Sequence, residues 1–402
     1  MANRLPLVTT DGLIKQVQAS DNLKVPGFLT LGTLTQSEID ALTPANGVTV
    51  YNETNNQFES YENGTWITKL NVISTERDLY VATTGSDSTG TGSIANPWAT
   101  LDKALSYLSK FVILAKVTIY VAAGDYTATT STLIINHPNG DKIYIVGAYD
   151  TETIQFSSVS GSSGNYNYVM NNSLLNPGYI DNDYVLIHGS VSIASNEQRA
   201  YGVLRVASHT VNTVTLNSID ASAASGGTFY VTLPRVKFAR PITITHPLAA
   251  MTGIQNLYNI SGTYDNFIQV DQLLVGLVTF NRCIFLNTNA SQHGWNRNYP
   301  GTSVQLNYCG MRNFLGGWFC GSAATLAMSN SGSTYCTYGI WSYGQGVVQL
   351  VYTHMIRNTT ALYADFMSLI FLGGGTVLFS NNGTNASPAA GSDGNHNSYI
   401  RY

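Results

Sequence analysis

The fold class that the sequence predicts is an all-β chain wound as a parallel β-helix, and three observations predict it. The segments Val278-Thr-Phe-Asn-Arg, Val304-Gln-Leu-Asn-Tyr, Leu326-Ala-Met-Ser-Asn, Val348-Gln-Leu-Val-Tyr and Val377-Leu-Phe-Ser-Asn align as one strand type, with starts 26, 22, 22 and 29 residues apart. A second series, Gly317-Trp-Phe-Cys, Gly339-Ile-Trp-Ser and Ala361-Leu-Tyr-Ala, runs in step at spacings of 22 and 22. Two strand series with one period describe a coil wound repeatedly, each strand stacking on its equivalent in the next coil. Third, charged residues make up only 10% of the chain against roughly 25% in an ordinary domain, while apolar content is 44%. Asn, Ser, Thr, 37 glycines and 25 tyrosines stand in for the missing charge, a mix that suits strands joined by tight turns.

Along the chain, residues 1–30 hold no sustained period and read as an extended segment that docks on another surface. Residues 31–72 read differently: SEID suggests one helical turn, and VTVYNETNNQFESYENGTWITK has Asn55-Asn56 and Asn63-Gly64 as turn signals. This is a small hairpin module, too short to be stable without trimerising or packing on a neighbour.

Residues 73–182 read as the entry of the β-helix. Asn96 as cap and Pro97 at the first helical position predict a helix, with Trp98, Leu101, Ala104, Leu105 and Leu108 as its apolar stripe. Strands come next at Val117–Val121, Leu133–Asn136 and Ile143–Val146. Residues 183–236, rich in strands joined by Asn/Ser/Gly turns, read as an inserted antiparallel β unit. Residues 237–402 are the remaining coils, with 287–301 as a loop bulging from one of them.

The stretch YVATTGSDSTGTGSIANPWATLDKAL, then VTIYVAAGDY, then IYIVG, resembles the entry of the pectin-lyase-like right-handed β-helices found in bacteriophage tailspikes and fibres. The resemblance implies that the helix caps the open end of the solenoid. LTPANGVTVYNETNNQFESYENGTWITK resembles a hairpin module of phage fibre stems, and DGLIKQVQASDNLKVPGFL is similar to segments that attach fibres to virions. Together these resemblances imply a virion protein assembled in the host cytoplasm. It would be a homotrimer held by other virion proteins through Leu13, Leu23, Val25, Pro26 and Phe28, projecting toward a host-surface polysaccharide. A polysaccharide depolymerase on the same scaffold, or a head decoration fibre with no receptor role, are the alternatives.

The chemistry is sparse. Gly90-Thr91-Gly92-Ser93-Ile94-Ala95 spells GxGxxA, but Asn96-Pro97 separates it from the helix and no parallel crossover follows, against a dinucleotide turn. Asp87 lacks the companion carboxylates of a calcium site. Cys283, Cys309, Cys320 and Cys336 have no CxxC spacing and read as buried free thiols, so neither metal nor cofactor is expected. Net charge is −4 with scattered basic residues, which argues against nucleic acid. No run approaches membrane-spanning length, so no membrane insertion is expected.

For depolymerase chemistry, Asp265 and Asp271 lie roughly 20 Å apart on a straight strand at about 3.3 Å per residue, too far for paired carboxylates. Asp365 reads as a coil-surface aspartate. Candidate glycan contacts are His293, Trp295 and Arg297 in the predicted loop, and Trp341, Tyr343 and Tyr363 in the repeats. Trp318, Trp341 and Tyr363 are expected to form one aromatic ladder, favoured as core or subunit interface over a surface that stacks on sugar rings.

Overall fold

The computed structural model describes residues 33–387 and 398–401, apart from 56, 70, 163–164, 171–183, 189–201, 211–212, 218–226, 245–251, 256, 262–267, 271–275, 288–293, 299–300, 322, 374–376 and 381, together with strands Leu7–Thr10 and Leu13–Gln16. Two compact units result, Met1–Asn71 and Val72–Tyr402.

In the first unit the two N-terminal strands pair antiparallel, so the expected extended segment contains a hairpin, with Leu13 on its second strand. Leu23, Val25, Pro26 and Phe28 lie outside the described residues. The helical turn is Gln36–Asp40, opened by a capping box: the Thr35 hydroxyl accepts from the Glu38 N–H, and the Glu38 carboxylate accepts from the Thr35 N–H at 2.7 Å. A four-stranded sheet completes the unit. Asn52 closes its first hairpin by accepting from the N–H groups of Thr54 and Asn55. Asn63 and Gly64 close the second at φ 50° and 81°, the left-handed pair that a tight hairpin turn requires.

The second unit is the parallel β-helix. Its first face is a ten-stranded sheet running from Arg77–Val81 to Tyr399–Arg401. On this face Leu79, Ile119 and Ile145 stack in register, as do Phe280, Leu306, Met328, Leu350 and Leu372, and all are buried. Burial removes apolar surface from water at about 25 cal/mol per Å², and each coil extends the same core. The expected repeat needs one correction. Ile370, not Val377, stands opposite Val348; Leu378–Ser380 belongs to the second face and pairs with His354–Ile356. Both segments open on an unbroken apolar run, Leu369-Ile-Phe-Leu and Val377-Leu-Phe, and runs this short do not say which face they join.

Three corners per coil account for the 22-residue period. Arg282, Tyr308, Asn330 and Tyr352 turn the chain from the first face to the second, all at φ between 49° and 53°. Asn313, Tyr335 and Arg357 form the second corner, and Ala323, Gln345 and Met367 the third. Small polar groups behind the corners satisfy the amides: Ser331 Oγ accepts from Cys309 N–H at 3.0 Å, and Asn358 Oδ1 accepts from Cys336 N–H at 2.9 Å. All four cysteines are free and buried in these inner columns. Burial pushes the Cys336 thiol up to about 11.

The insertion starts earlier than residue 183. Strands from Tyr149–Ser162 to Gly227–Pro234 close into a six-stranded antiparallel barrel, so 149–170 belongs to it rather than to the β-helix entry. Ala148 N–H bonds to Val121 O and Arg235 N–H bonds to Ala148 O, so the chain leaves and re-enters the coil at one point. Tyr149 pairs with Pro234, which zips the first barrel strand directly to the last. The barrel packs on the second face, where Leu186 and Val203 form one cluster with Ile284 and Leu286. Gly310 permits this contact, since a Cβ there would lie 2.3 Å from Val203 Cγ2. Arg312 adds a bond to Val203 O and lies over the Tyr184 ring.

At the Arg77–Val81 end of the first sheet, helix Leu101–Leu108 buries Leu101, Ala104 and Leu108 in the solenoid core, with Leu105 half-buried beside them. The helix starts later than Asn96-Pro97 predicts, because residues before it are held as an extended edge. Trp98 N–H bonds to Tyr80 O and Ala82 N–H to Trp98 O, forming a parallel bridge. The Asp87 carboxylate then accepts from Ala99 N–H, Thr100 N–H and the Thr100 hydroxyl, and Thr100 caps the helix. In the GxGxxA string, Gly90 N–H is spent on Ser86 O, and those of Thr91 and Gly92 on Asn96 O. Gly92 sits at φ 74° with the Trp98 ring against it, where a Cβ would lie 2.5 Å from the indole. A phosphate cradle needs free amides, and these are committed.

Candidate functional site

Strands Gly316–Cys320, Tyr338–Ser342, Thr360–Ala364 and Thr384–Ser387 make the upper part of the third face. Side chains alternate along each strand, and the register decides which aromatics point outward. Trp318 stacks on Ile340 and Leu362, all buried, with its indole N–H donating to Gly332 O at 3.2 Å. Phe319 stacks on Trp341 and Tyr363, and these three are half-buried on the outer surface. The expected ladder is therefore corrected twice. Phe319 replaces Trp318 in it, and the ladder faces out, which removes the core half of the expected core-or-interface reading.

Neighbouring rings widen the ladder into a patch. Trp341 lies 5.4 Å from Phe319 and 5.8 Å from Tyr363, both edge-to-face. Tyr338 sits 5.0 Å from Trp341 and 4.9 Å from Tyr363. Tyr343 stacks on Phe319 at 6.5 Å and contacts Phe366 at 4.9 Å. Burial, then the neighbouring Asp365 carboxylate, raises the Tyr363 phenol above its ordinary pKa. Asp365 Oδ1 also accepts from Phe366 N–H, while Asp365 N–H is held by Ser342 O and Ser368 Oγ, so the turn carrying Phe366 is fixed to the coil.

The structure thus gathers Trp341, Tyr343 and Tyr363, and adds Phe319, Tyr338 and Phe366, which the sequence pattern does not single out. Trp295 and Arg297 do not lie in a loop: they belong to strand Trp295–Asn298, which pairs with Ile268–Val270 on the third face. Gly294 N–H bonds to Gly316 O at 2.9 Å, so this strand lies one coil from the Phe319 strand. His293, Asp265 and Asp271 fall outside the described residues.

A separate cavity of about 200 Å³ lies beside helix Leu101–Leu108, lined by Asp102, Asp125, Tyr126, Phe238 and Arg240 among others. Asp102 accepts from buried Arg240 through both oxygens, at 2.5 and 2.8 Å. Asp125 accepts from Thr127, which lowers its pKa. The lowered pKa of Asp125 makes it a poor proton donor, the role that one member of a hydrolytic carboxylate pair must fill. Among the described residues no group of three His, Cys, Asp or Glu side chains could hold a metal ion, and no helix is long and apolar enough to cross a membrane.

Fold and site together define a β-helix protein bearing an outward aromatic patch. No family model matches the chain, and no curated protein matches it. Among solved structures it is similar to the tailspike protein gp49 from Pseudomonas phage LKA1, at 11% identity and a TM-score of 0.21. That match covers 76% of this chain and 53% of the tailspike, so the chain spans about half the length of the protein it matches.

Proposed function

We propose that the chain is a phage fibre or tailspike-type virion protein, a homotrimer attached through residues 1–30, whose third face binds a host-surface glycan. The observation that carries this reading is the aromatic patch itself. Three rings, Phe319, Trp341 and Tyr363, stack in register on one sheet, and Tyr338, Tyr343 and Phe366 gather around them to make a partly exposed apolar surface edged by phenol hydroxyls. Aromatic rings offer large contact area at low conformational cost and a polar handle at their edge, which matches the amphipathic faces of sugar rings. A fold of stacked backbone hydrogen bonds suits a projecting adhesin, because its stability does not depend on surface charge.

Competition tests the reading. Purified full-length protein at saturating concentration should slow adsorption of the phage that carries it, and the Trp341→Ala variant should not. Failure of the wild-type protein to compete would remove the receptor role and leave a decoration fibre. Release of reducing ends or unsaturated products from host polysaccharide would instead make the protein a depolymerase. Sedimentation should give three times the 43.4 kDa chain mass.

A further inference from the structure

We infer that the third face takes an uncharged glycan whose rings carry apolar substituents, such as acetyl or methyl groups. This rests on the glycan reading above and narrows it.

Charge is the first reason. The stretches 315–325, 337–347 and 359–369, which supply the patch and its turns, contain one charged residue, Asp365. Its carboxylate lies beside Tyr363 and is half-buried. A uronic or sialic acid seated on these rings would meet that carboxylate with no cation from the same stretches. Like charges brought together out of water are a strong element of exclusion.

The turn after Tyr363 is the second reason. Phe366 and Met367 sit at consecutive positive φ angles of 52° and 57°, yet are 41% and 53% exposed. Left-handed positions ordinarily go to glycine or asparagine, and the other two corners of this solenoid fill them with polar-tipped residues such as Tyr308, Tyr335, Tyr352 and Arg357. In the preceding coils the position of Met367 is held by Ala323 and Gln345, and in the coil just before it that of Phe366 is held by Gly344. Only the last of these three corners lifts two large apolar groups to solvent, with Phe366 continuing the patch through Tyr343. Met367 follows Phe366 in the chain, and an exposed thioether is an adaptable apolar contact for methyl groups.

The test is a glycan array probed with the full chain. It carries neutral N-acetylated and 6-deoxy glycans, neutral unsubstituted glucans and mannans, and uronic- or sialic-acid glycans. Binding should concentrate in the first class. Trp341→Ala should weaken it by about tenfold or more. Met367→Asn, which keeps a residue at ease in the left-handed region, should weaken it severalfold and leave the circular dichroism spectrum unchanged. Preference for anionic glycans, lost on Arg297→Gln, would overturn the inference while leaving the glycan reading intact. So would equal, Trp341-dependent binding of unsubstituted glucans. Binding of no glycan in any class would overturn both.

Discussion

The second and third faces of this solenoid are built from the same coils, but their outer surfaces have different fates. On the second face, Gly310 leaves room for Val203 and Leu186 of the inserted barrel, and Ile284 and Leu286 are buried beneath them. On the third face, Phe319, Trp341 and Tyr363 occupy outward positions with no such cover from the described residues of the chain. The contrast shows how a repeat fold separates the columns that every coil needs from those that can vary. Inward columns and corners repeat because every coil needs them. Outward columns are free to differ, and here one holds an internal docking surface and the other a patch of rings.

The largest expected effect comes from the contrast between inward and outward rings of the third face. Trp318→Ala removes a fully buried indole and should cost about 3–5 kcal/mol in denaturant unfolding, the usual range for an aromatic-to-alanine change in a core. Trp341→Ala, on the same face one coil on but directed outward and half-buried against Phe319, Tyr338 and Tyr363, should cost less, about 1–2 kcal/mol, while losing the proposed glycan contact. If the two variants are equally destabilised, the inward and outward assignment of the third face is wrong.

Alkaline pH should give the next effect. The Cys336 thiol is raised by burial from 9.0 to about 11, and the Tyr126 phenol, also by burial, from 10.0 to about 12. Below pH 9 both states keep the thiol proton and its contribution is complete. As pH rises from about 9 to 11 the unfolded chain releases that proton first, and about 3 kcal/mol is lost at 1.36 kcal/mol per unit. Cys336→Ser should remove this thiol's share and leave the phenol's, which falls between about pH 10 and 12. A pH–stability curve identical in both proteins would refute the assignment.

The smaller effect separates the faces. Gly310→Ala forces a Cβ against stiff, β-branched Val203 and should cost about 1–3 kcal/mol, read as a lower melting temperature. Ala327→Ser, on the outer surface of the first face, should lie within about 0.5 kcal/mol of wild type. Equal melting temperatures for the two variants would mean that the barrel does not seat on Gly310.

Much of the molecule is legible in its amino-acid order. The strands at Val117–Val121 and Ile143–Gly147, the Asn63-Gly64 hairpin and the 22-residue step each reflect local chemistry: β-branched runs, a left-handed turn pair, and a coil of fixed circumference. The aromatic patch is half legible. Aligning Gly317-Trp-Phe-Cys with Gly339-Ile-Trp-Ser already sets Trp318 on Ile340 and Phe319 on Trp341, but matching tryptophans by identity hides it. A shift of one residue exchanges core and surface, because strand side chains have a period of two.

What the sequence by itself determined is the class of fold and the pitch of its repeat, since both rest on nearest-neighbour patterns that recur along the chain. What only the tertiary structure decided depends on contacts distant in sequence. The entry and exit of the barrel meet at Ala148 and Arg235. The start of helix Leu101–Leu108 is set by Asp87, twelve residues before Ala99. Phe319, Trp341 and Tyr363 come from three coils and meet on one face because stacking at a 22-residue period brings them into register, a convergence that no single segment encodes.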